Sequence, residues 1–117
     1  MDAQQLAHFK NKLLELQAQF QGEIGGLEQA TNVINEDASY GVSNHMADDA
    51  TDIYEREKNL SLIEDRQELL DQITAALERI ESGTYGICLK SGKPIPVERL
   101  EVLPYAALSV EAQINNH

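Results

Sequence analysis

The sequence predicts a mainly α fold: a long antiparallel helical hairpin (a coiled coil) followed by a small, turn-rich C-terminal subdomain that ends in a short helix. Three observations carry this expectation. The only prolines are Pro94, Pro96 and Pro104, so the first 93 residues contain no helix breaker of that kind. Within that stretch lie two apolar seams at heptad-like spacing, separated by the polar segment SYGVSNHM at 39–46. The chain beyond residue 84 then gathers glycine, proline and the lone cysteine into the run YGICLKSGKPIP.

The first seam runs Leu6, Phe9, Leu13, Leu16 and Phe20, then Ile24 and Leu27 after a one-residue shift beside Gly22, Gly25 and Gly26. Asp2 is placed to cap this helix, with Gln5 three residues on completing a reciprocal pair. A helix over 2–35 is expected, about 50 Å long. The second seam runs Ile63, Leu70, Ile73, Leu77 and Ile80, with Arg66 in a slot that should be apolar. That helix should start near Asp48, where Asp48, Asp49 and Asp52 favour the positive end of its dipole, and stop at Gly83 in a left-handed cap. The expected division is a hairpin over 1–84, with its tip around 36–50, and a subdomain over 85–117.

A hairpin buries one stripe per helix and needs support at its base. In the subdomain PVERLEVLP has room for a helical turn, and Ser109 is placed to cap a terminal helix SVEAQINN. Ile87, Ile95, Val97, Leu100, Val102, Leu103, Leu108 and Val110 are the expected hydrophobic cluster. Domains this small commonly add a metal or disulfides. One cysteine excludes an intramolecular disulfide. Cys88 and Ser91 have the spacing of one C-x-x-C turn and Ser109 and Ala112 that of a second, but three of four zinc ligands are missing. Either Cys88 is a lone buried thiol in a turn-rich segment, or these four are the vestigial positions of a lost metal site; on both readings no bound metal and no other cofactor is expected.

The formal net charge is −11, and residues 48–84 hold eleven Asp or Glu against four Lys or Arg. Such a segment repels a phosphate backbone, so no direct nucleic-acid contact is expected, and a basic protein surface suits it better. No apolar run approaches the ~20 residues of a membrane span, and nothing at the N-terminus reads as a secretion signal, so a cytoplasmic protein is expected. No Ser/His/Asp or Cys/His constellation, phosphate loop or paired acids suggests an enzyme.

The words around the two turns are more specific than their spacing. The order T-Y-G-I-C-x-x-S-G-K-P-I-P-x-E-R-L-E-x-x-P, followed by a small-residue pair, resembles the C-terminal finger of the DksA/TraR family of bacterial proteins that act on RNA polymerase. QLAHFKNKLLELQ resembles the opening of that family's coiled coil, and NHMADDATDIYEREK is similar to its YteA/YocK-like branch in Gram-positive bacteria. The resemblance implies a degenerate, cysteine-poor C4 finger and a transcription regulator. Its partner would be core RNA polymerase, with the hairpin inserted in the secondary channel and its tip near the catalytic centre. The family's tip motif, Asp-x-x-Asp-x-Ala, falls on His45, Asp48 and Ala50, with His45 the departure and Asp49 a neighbour off the motif. A monomer is expected, and nothing in the sequence indicates guanosine tetraphosphate. The rival expectation is a coiled-coil adaptor or structural stress protein with no direct transcriptional activity.

Overall fold

The computed structural model describes residues 1–39 and 46–115, with side chains for 1–32 and 51–114. Its elements are α1 (Ala3–Ser39), α2 (Met46–Ser82), α3 (Val97–Val102) and α4 (Val110–Asn115). Among the described residues the only β pairing is an isolated antiparallel bridge between Ile87 and Pro94. No described helix is long and apolar enough to cross a membrane. The mainly α helical hairpin with a C-terminal finger-like subdomain is therefore the fold, and α1 runs unbroken through Gly22, Gly25 and Gly26.

The helix ends form as their residues dictate. The Asp2 carboxylate accepts the Gln5 N–H at 2.8 Å while the Gln5 side chain accepts the Asp2 N–H at 3.2 Å, a reciprocal capping box. At the end of α2, Gly83 adopts φ +80°, and Thr84 donates to the Arg79 carbonyl as Gly83 does to that of Ile80. This pairing is a Schellman closure, and it requires a left-handed residue at Gly83.

The chain divides into two compact units. The first combines 1–18 with 70–117. Its core is Phe9, Leu13, Leu70, Ile73, Ala76, Tyr85, Cys88, Ile95, Leu100, Ala106 and Ala112. Two expectations are corrected here. Ala76 is fully buried on α2, whereas Leu77, named for the seam, is only partly buried. Ile87, Val97, Val102 and Val110 are exposed, from 40% for Val97 to 77% for Val102, and do not form the cluster. Short, turn-rich segments turn small side chains inward, so the cysteine, the two alanines and the Tyr85 ring fill the space.

The second unit, 19–69, buries Phe20, Ile24 and Thr31, with Leu27, Leu62 and Ile63 half-buried. Arg66, the polar intruder in the seam, is half-buried. Its Nε donates to the Glu23 carboxylate, and its guanidinium lies 5.5 Å from the centre of the Phe20 ring. The aliphatic stem thus fills the apolar slot while the charge is met by an acid on α1.

Candidate functional site

The finger is made of two similar turns. In the first, the Cys88 sulfur accepts the N–H of Ser91 at 3.4 Å. Gly92, at φ +72°, lets the chain reverse, and Cys88 N–H then meets the Lys93 carbonyl at 2.8 Å. In the second, the Ser109 hydroxyl oxygen accepts the N–H of Ala112 at 3.2 Å, which also caps α4 as expected. The turns are joined where Ser109 N–H donates to the Cys88 sulfur at 3.5 Å and Leu89 N–H to the Ala107 carbonyl at 2.9 Å. All four positions marked by the sequence are thereby brought together.

Cys88 is 1% exposed and packs as a small buried residue. Its thiol is drawn down to about 6, chiefly by the Ser91 hydroxyl and then by the backbone N–H groups of Ser109 and Ser91, against the opposing effect of burial.

The rest of the first unit props up these turns. The buried Tyr85 hydroxyl donates to the Pro104 carbonyl at 2.7 Å, and its ring packs 5.8 Å from that of Phe9. Arg99 Nε donates to the Leu108 carbonyl at 2.9 Å, just ahead of the second turn. On the surface, Lys12 and His8 of α1 both reach the Glu101 carboxylate of α3, at 2.6 and 3.0 Å. Lys12 first and then His8 hold that carboxyl below its usual range. Sequence reasoning missed this clasp, because partners about ninety residues apart leave no periodic signal.

The tip residues stand differently. His45 lies outside the described residues. Asp48, Asp49 and Ala50 belong to the opening of α2, and their side chains lie outside the described set.

A helical hairpin carrying a two-turn finger with four convergent ligand positions defines a class of zinc-finger coiled-coil proteins. The family model of the prokaryotic dksA/traR C4-type zinc finger matches residues 83–114. General stress protein 16O of Bacillus subtilis (strain 168) is 43% identical over 110 residues, covering 94% of this chain and 67% of that protein. The RNA polymerase-binding transcription factor DksA of Caulobacter vibrioides is 34% identical over 113 residues, covering 97% of this chain and 76% of its own. The solved structure of transcription factor DksA2 from Pseudomonas aeruginosa matches with a TM-score of 0.85 at 33% identity, over 99% of this chain and 85% of that one. The chain belongs to the DksA/TraR family.

The C4 zinc that the family name implies does not fit the residues present. A structural site of this kind takes four thiolates at about 2.3 Å from one ion. Here the four positions offer one sulfur, two neutral hydroxyls and the methyl of Ala112, which has no lone pair. Among the described residues no three His, Cys, Asp or Glu side chains are grouped to hold a metal.

Proposed function

We propose that this protein is a transcription regulator that binds RNA polymerase through the secondary channel, with the hairpin tip near the catalytic centre. The observation that carries the reading is the match, over almost the whole chain, to a DksA that is itself an RNA polymerase-binding transcription factor. The charge distribution supports it: an acidic hairpin suits a basic protein surface. In this reading residues 1–84 are the inserted hairpin and 85–117 the base that stays outside. His45, Asp48, Asp49 and Ala50 are the contacts at the tip, and the protein acts as a monomer in the cytoplasm. The finger positions shape the base and carry no chemistry.

Binding to purified core polymerase, measured with and without a competing secondary-channel factor, tests the proposal. Binding that the competitor displaces is expected. Binding to core that is indifferent to the competitor would remove the channel, and no binding would remove the function.

A second reading is favoured by one observation, the name of the 43% identical relative, a general stress protein. In that reading the hairpin is a coiled-coil adaptor without direct transcriptional activity. Recovery from cell extract separates the two: the first expects core polymerase as the main partner, the second another helical protein.

A further inference from the structure

The mismatch between the finger's name and its donors raises the question of what closes the finger. In a C4 site one ion joins two turns that are distant in sequence. Here the same joint is made by hydrogen bonds. The Cys88 sulfur accepts an N–H from its own turn, Ser91, and another from the opposite turn, Ser109. Ser109 in turn accepts the N–H of Ala112, so each turn shows the same relation: the side chain of the first position takes the N–H of the fourth. The serine oxygen thus plays in the second turn the acceptor part that the sulfur plays in the first. The missing fourth donor is matched by burial, since the Ala112 methyl is packed into the core at 7% exposure.

We propose that this finger closes without metal because the Cys88 sulfur acts as the shared acceptor that joins the two turns, while positions 91, 109 and 112 keep the frame of a tetrahedral metal site that cysteines would refill. Ser91, Ser109 and Ala112 border one cleft of about 450 Å³, so the sulfurs added at 91 and 109 have room, whereas the one at 112 replaces a buried methyl. The refilled site would take a thiophilic divalent cation such as zinc or cobalt. The inference stands apart from polymerase binding, since it concerns only how the base is built.

Two measurements test its two halves. In the parent chain, with chelator present, the amides of Ser91, Ser109 and Ala112 should exchange with solvent deuterium at least ~100-fold more slowly than in an unstructured peptide. Exchange at the unstructured rate, or protection that appears only when zinc is added, would overturn the hydrogen-bonded closure. The triple variant Ser91→Cys/Ser109→Cys/Ala112→Cys is then titrated with cobalt(II). Uptake of about one equivalent, with thiolate-to-metal absorption and the visible bands of a tetrahedral site, is the expected result. A variant that folds only when metal is supplied supports the retained frame equally. A folded variant that takes no cobalt, or one that folds neither with nor without it, overturns the frame, and the parent's exchange still decides the closure.

Discussion

Tyr85 shows how one side chain holds the base together. Its hydroxyl is buried and bonded to the Pro104 carbonyl, so Tyr85→Phe leaves that carbonyl unpaired and should cost about 1–2 kcal/mol in a denaturant melt. Burial pushes the phenol up to about 12, so the fold favours the neutral form. Its share of stability is complete below the unfolded value near ~10 and is lost as pH climbs from there towards about 12, a change of roughly 2 kcal/mol. The stability of Tyr85→Phe should fall less than the parent's over that window; equal slopes would mean the phenol is not the group responsible. At the tip, Asp48→Asn keeps shape and capping ability but removes charge, and Ala50→Thr adds bulk. Both should keep the helical circular dichroism signal and most of the polymerase affinity while abolishing the effect on transcript yield. Tip variants that match an active parent in transcription would confine the function to other surfaces.

Along the helices, the seam decides stability and one polar residue interrupts it. Arg66 is met by Glu23 and lies over Phe20, but a partly exposed ion pair of this kind contributes little to stability. Arg66→Leu should therefore match or exceed the parent's melting temperature, whereas Glu23→Ala, which strands the guanidinium in an apolar slot, should lower it. The capping box is a separate lever: Asp2→Ala removes the acceptor for Gln5 N–H and should cost ~1 kcal/mol of stability. Gly83→Ala forces a side chain into a left-handed conformation at φ +80° and should cost ~1–2 kcal/mol by the same measurement. Leu13 and Leu70, both buried, serve the adaptor reading as well. Their substitution would abolish partner binding under that reading, whereas changes at the tip would not.

Taken whole, the molecule carries a net charge of −11, most of it in the 48–84 stretch. Polymerase affinity should weaken as salt is raised from 0.05 to about 0.5 M, since the Debye length falls several-fold over that range. Affinity that stays constant across the titration would mean that apolar contacts dominate. The sequence by itself determined the two helices, the Asp2–Gln5 box, the Gly83 stop and the Ser109 cap, because each is a local pattern of spacing or backbone conformation that nearby residues decide. Apolar character and bulk, however, named Leu77 and four exposed finger residues for a core that the smaller Ala76, Ala106 and Ala112 occupy. Only the tertiary structure decided which side chains face inward in the turn-rich base, that Glu23 answers Arg66, and that Lys12 and His8 clasp Glu101. It also decided that the lone sulfur receives N–H groups from both turns. The physical reason is the same in each case: these contacts join residues far apart in the chain, and their energies depend on distances that no local pattern encodes.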